Sequence, residues 1–175
     1  MKNFLSIVAI SALLSTGAMS ADFIQGGYYG GAGVGVEDFS EYSSINAGYT
    51  LVINGGKPII KLGPGTLGAE GEFTYTIIPM TYGWNDQYDL NILTLGAYAT
   101  YTFDFSDKFY ARGKLGPVNR TTTWDNGYSD DSTFNVAVGI GAGYKINNTL
   151  RVFSDLIVLD SSDLKQLNVG VQLTF

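Results

Sequence analysis

Leu167-Asn168-Val169-Gly170-Val171-Gln172-Leu173-Thr174-Phe175 is the stretch on which the fold turns. Successive side chains of a strand point to opposite faces, so Leu167, Val169, Val171, Leu173 and Phe175 form an apolar wall. Asn168, Gly170, Gln172 and Thr174 form a polar one.

The same period recurs upstream. Phe134, Val136, Val138, Ile140, Ala142 and Tyr144 alternate with Asn135, Ala137, Gly139, Gly141, Gly143 and Lys145. Leu67, Ala69, Gly71, Phe73, Tyr75 and Ile77 alternate with Gly68, Glu70, Glu72, Thr74 and Thr76. Ile45, Ala47, Tyr49, Leu51 and Ile53 alternate with Asn46, Gly48, Thr50 and Val52. Weaker versions span 26–37, 88–103, 109–119 and 149–159, making eight predicted strands and no segment of helical period. Asn54-Gly55-Gly56, Ser106-Asp107-Lys108, Ile146-Asn147-Asn148 and Asp160-Ser161-Ser162 read as the turns between them.

The polar face, with its Gly, Thr, Asn, Gln and charges, is unsuited to an apolar interior. Lipid outside and polar groups inside satisfies both walls, and closure pairs every backbone group in hydrocarbon. Segments of this length match the roughly 9–11 tilted residues that a membrane strand needs. The fold class expected is all-β: an eight-stranded antiparallel up-and-down transmembrane β-barrel over residues 21–175.

The start of the chain is an export signal in pattern. Lys2 precedes an apolar run at 4–14, and Ala18-Met19-Ser20 is a small-x-small site, so cleavage is expected after Ser20 or Ala21. Composition narrows the function further. The 175 residues hold no Cys and no His, which removes disulfides, thiolate nucleophiles and the commonest general base and metal ligand. Ten basic residues against sixteen acidic ones argue against nucleic acid as a partner. No catalytic, cofactor-binding or metal-ligating set is expected, and the chain is read as no enzyme.

Several stretches resemble the small OmpA/OmpX-type outer-membrane barrels, including opacity-type and "porin family" surface proteins of Gram-negative cells. They are Gly26-Gly27-Tyr28-Tyr29-Gly30-Gly31, the run at 109–116 (FYARGKLG), the run at 138–144 (VGIGAGY) and the closing strand at 169–175. The resemblance implies a cell outer membrane location, contact with outer-membrane lipid and lipopolysaccharide, and Leu173 and Phe175 as a signal to the barrel-assembly machinery. Two departures stand out. Pro117 predicts a bulge or an early strand end, because proline cannot donate to the ladder. Residues 54–65 (NGGKPIIKLGPG) are long for a periplasmic turn.

With the N-terminus periplasmic, strand parity sends Glu70, Glu72 and Asp155 into the lumen with Arg112, Lys114 and Arg151, three charges of each sign. Buried charges must be paired, so this set reads as a lumen charge network rather than a catalytic carboxylate pair. Tyr29, Tyr98, Tyr110 and Phe153 also point inward, and an eight-stranded barrel has room only for side chains. Glu37, Asp38, Glu41, Asp125, Asp130 and Asp131 are read as acidic outer loops, either solvated or bridged by divalent cations to lipopolysaccharide phosphates. Tyr42, Tyr82, Trp84, Tyr88, Trp124 and Tyr128 are expected as one aromatic belt, with Phe103, Phe105, Phe109, Tyr144 and Phe175 as the other. Two functions follow. One is an envelope protein that presents surface loops to a host or envelope ligand. The alternative is a narrow ion-conducting, porin-like channel.

Overall fold

The structure, a computed structural model, describes residues 21–23, 27–39, 45–82, 88–124, 131–159 and 164–175. The segment expected to be a signal peptide, 1–20, lies outside the described residues, as do Glu41, Asp125 and Asp130.

Among the described residues eight long strands form one antiparallel sheet: β1 Tyr29–Phe39, β2 Gly48–Leu62, β3 Gly65–Ile78, β4 Tyr88–Asp104, β5 Phe109–Trp124, β6 Asp131–Lys145, β7 Leu150–Leu159 and β8 Leu164–Thr174. Each strand pairs with its neighbours in sequence, and β8 pairs with β1 from Leu164↔Phe39 to Thr174↔Tyr29, so the sheet closes on itself. A short strand, Ala21–Phe23, adds to the end of β2.

Burial reveals which wall is outside. Ile140 is 66% exposed and Leu95 61%, whereas Gln166, Asn168 and Gln172 are at most 1% exposed. A water-soluble fold would invert these values.

One end of the barrel carries tight turns. Gly63, at φ 57°, begins a two-residue Gly63-Pro64 connection between β2 and β3. A positive φ there suits the twist of a short hairpin and costs glycine nothing. The other two turns share a design. Ser106 Oγ accepts from the backbone N–H of Lys108 and Phe109, and Asn147 Oδ1 accepts from those of Thr149 and Leu150.

Two expectations are corrected here. Asn54-Gly55-Gly56 is no turn, because β2 continues through it to Leu62. Glycine is needed at 56 for a close approach and not for a turn, since a Cβ there would run into the Tyr29 ring. Pro58 is accommodated at a register shift, where Ile59 has no partner between Pro58↔Gly68 and Ile60↔Leu67. Pro117 neither bulges nor ends β5. Its register to β6 is unbroken, and to β4 the ladder skips from Gly96↔Val118 to Ala99↔Leu115 at constant register. The missing N–H is absorbed as a gap in one ladder.

At the opposite end β3 bends away after Tyr75↔Leu93. The hydroxyl of Thr76 takes over the lost rung, donating to the Ile92 carbonyl at 2.9 Å and accepting from its N–H at 2.8 Å. Pro79 follows, and Met80–Tyr82 resumes pairing with β4 at Met80↔Leu90.

Arginine at Ile140 would be harmless on a soluble surface. On a wall facing hydrocarbon it is expected to cost about 2–4 kcal/mol. Urea titration of Ile140→Arg refolded into lipid vesicles measures this, and wild-type stability in that variant would place water against this wall.

Candidate functional site: the charged lumen

The centre of the barrel is built by parity. Glu70 and Glu72 on β3, Arg112 and Lys114 on β5 and Asp155 on β7 all point inward, and each is at most 5% exposed. Arg112 contacts Glu70 at 3.1 Å, and its Nε donates to Asp155 Oδ1 at 2.7 Å. Lys114 reaches Glu72 at 2.9 Å and Asp155 at 2.8 Å, and it also contacts Glu70. Carboxylate oxygens of the three acids lie within 4.8 Å of one another, close enough to ligate a cation. The ammonium of Lys114 touches all three, so a side-chain cation already occupies that position. Tyr29 adds a hydroxyl that donates to Glu70 at 2.7 Å.

Aromatic rings pack against the cations. The Arg112 guanidinium lies 4.9 Å from the Phe153 ring centroid, and the Lys114 ammonium lies 5.5 Å from that of Tyr98. Glycine makes the space, since a Cβ at Gly143 would strike the ring of Tyr110. The result is a packed ionic core in place of a pore.

Arg151 departs from the expected network. Among the described residues it makes no ion pair, and it stacks over Tyr29 at 4.5 Å and Tyr110 at 5.7 Å. It lies near the turn end, one residue into β7.

Glu37 is also relocated. Expected in an acidic loop, it is fully buried, because β1 runs on to Phe39 and the inward parity of Gly33 and Gly35 carries through it. Its carboxylate accepts from Gln166 at 2.6 Å, and the Thr76 hydroxyl, whose proton goes to the Ile92 carbonyl, lies 3.3 Å from it. Asp38 faces outward, in register with Lys165, and Asp131 is exposed at the start of β6. Leu173 and Phe175 are 51% and 77% exposed at the turn end, where Phe175 N–H donates to the Tyr28 carbonyl.

The sequence reading missed an apolar cluster inside the barrel. Met80, Leu90, Ile92, Leu159 and Leu164 are at most 1% exposed and pack together near the loop ends of their strands. Phe39, Ile45 and Trp124 pack against them. Trp124 therefore serves this cap and not a lipid-facing belt. Of the remaining rim aromatics, Tyr88 is exposed, while Tyr42, Trp84 and Tyr128 lie outside the described residues. At the turn end Phe103 meets Phe105, and Phe109 meets Tyr144, each edge-to-face at 5.0 Å.

Replacing Lys114 with methionine would leave three buried carboxylates to one arginine. The expected loss is about 3–5 kcal/mol, measurable by denaturant unfolding in vesicles. Adding Glu72→Leu should return part of it, and a double-mutant cycle reports that coupling.

Solved structures share this architecture. Neisserial surface protein A aligns over 89% of this chain and 99% of its own, with 17% identity and a TM-score of 0.60. Ail, the attachment invasion locus protein of Yersinia pestis, aligns over 87% of this chain and 100% of its own, with 15% identity and a TM-score of 0.54. The outer membrane protein OprG of Pseudomonas aeruginosa aligns over 87% and 97%, with 10% identity and a TM-score of 0.54. No curated protein sequence matches the chain. The profile of the outer membrane protein beta-barrel domain matches residues 6–175, nearly the whole length, and the chain belongs to that outer-membrane family.

Proposed function

We propose that this protein is a non-enzymatic component of the outer membrane that supports envelope integrity and presents acidic surface loops for adhesion or another surface interaction. The observation that carries this reading is the filled lumen. An ion-paired centre and an apolar cap leave the lipid-facing wall and the loops as the working surfaces. In this reading residues 1–20 direct export, and the turn end faces the periplasm. Leu173 and Phe175 engage the assembly machinery there. Asp38 and Asp131, with Glu41, Asp125 and Asp130, face outward, where divalent cations bridge them to lipopolysaccharide phosphates. Histidine and cysteine are absent from the chain, and the lumen carboxylates are held by cations.

A narrow channel is the second reading. It is favoured by a polar cavity of about 180 Å³ that enters from the turn end and reaches Arg112. Hydrophobic constrictions block ions by excluding water, and the cap is such a constriction.

Planar-bilayer recording separates the two. The wild-type barrel is expected to carry no steady current, while Leu90→Asn with Leu164→Asn, which wets the cap, should conduct. Ion-selective steps from the wild type would establish the channel instead. A clean deletion should increase detergent sensitivity, and unchanged permeability and adhesion would count against the envelope role.

A further inference from the structure

The cavity at the turn end holds a cation with no role in the function proposed above. Its wall includes Tyr29, Thr66, Thr100, Thr102, Arg112 and Arg151. Lys145 and Asp104 also border it and pair with each other at 2.8 Å. Arg112 is committed to Glu70 and Asp155. Arg151 is the remaining positive charge: among the described residues it has no carboxylate partner, and its Nε is buried without a hydrogen-bond acceptor. Buried donors are seldom left unpaired, and each such case calls for a water, an ion or a ligand.

The geometry indicates which. The guanidinium carbon lies over the Tyr29 ring, 4.5 Å from its centroid, and 5.7 Å from that of Tyr110. A guanidinium presents a fork of N–H donors that matches the spacing of carboxylate and phosphate oxygens. Hydroxyls of Thr66 on β3 and of Thr100 and Thr102 on β4 line the facing side of the barrel wall. The volume of about 180 Å³ suits a small group rather than a polymer.

We propose that this cavity is a binding site for a small oxyanion, a carboxylate or a phosphate, which docks on the edge of Arg151 between the Tyr29 and Tyr110 rings and the threonine hydroxyls. Among the described residues the site opens toward the turn end, and the ion-paired centre and the apolar cap lie between it and the loop end. It goes beyond the envelope role and does not depend on it.

The test uses the full barrel refolded in an uncharged maltoside detergent, titrated separately with inorganic phosphate and with acetate. Readouts are the Arg151 Nε–H resonance and the backbone amides of Thr100 and Thr102. One anion or both should shift these signals to saturation. Arg151→Lys, which keeps the charge and loses the fork, should weaken the response roughly tenfold. Arg151→Gln should abolish the threonine shifts. Heat-dependent gel mobility establishes that both variants are folded. Saturation by phosphate alone assigns a phosphate-bearing ligand, and saturation by acetate alone a carboxylate. Shifts that never saturate, no shift with either anion, or an unchanged response in Arg151→Gln would overturn the site.

Discussion

A strand surrounded by hydrocarbon has no water with which to satisfy its N–H and C=O groups, and each orphan costs several kcal/mol. Everything else in this molecule answers to that. The ring must close, so β8 returns to β1 along eleven consecutive residue pairs. Where a residue cannot pair, the loss is contained. Pro117 confines its missing donor to one ladder, Pro58 sits at a register shift, and the Thr76 hydroxyl replaces a backbone rung as β3 bends. Closure also fixes the inversion of the two walls. Side chains that point outward meet acyl tails, and the polar remainder is confined to a narrow interior.

That interior faces a second difficulty, since five charged groups share a space without bulk water. The solution combines pairing with stacking. Lys114 sits among three carboxylates, Arg112 spans two of them, and Phe153 and Tyr98 pack over the cations. Toward the loop end charge gives way to Met80, Leu90, Ile92, Leu159 and Leu164. The two ends of the lumen thus differ in kind, one polar and accessible, the other dry.

Strands with one greasy and one polar face were readable from sequence, and β3, β6 and β8 are the clearest cases. The convergence of Glu70, Glu72, Arg112, Lys114 and Asp155 follows from counting parity along β3, β5 and β7. Reading ran out wherever both faces carry the same chemistry. The run at 156–159 (LIVL) is apolar throughout, so nothing local marks Ile157 and Leu159 as lumen residues. Gly55 and Gly56 look like a turn because a glycine placed to receive the Tyr29 ring and a glycine placed to bend the chain are the same letter. Glu37 is not legible as a lumen residue because a carboxylate near a strand end suggests solvent, and the side chains around it, Gln166 and Thr76, come from strands remote in sequence. Arg151 has the parity of the network and not its position along the barrel axis.

The β1–β8 seam has a kinetic corollary. Seven of the eight strand pairings join neighbours in sequence and can form as local hairpins, whereas Gln166 and Glu37 are separated by 129 positions. Loop-closure entropy for that last contact is met only once, near completion, and until then both rims of the growing sheet remain unsatisfied. Partly zipped forms therefore gain little from stopping short, which makes assembly cooperative and a nascent chain dependent on being shielded until its final strand arrives.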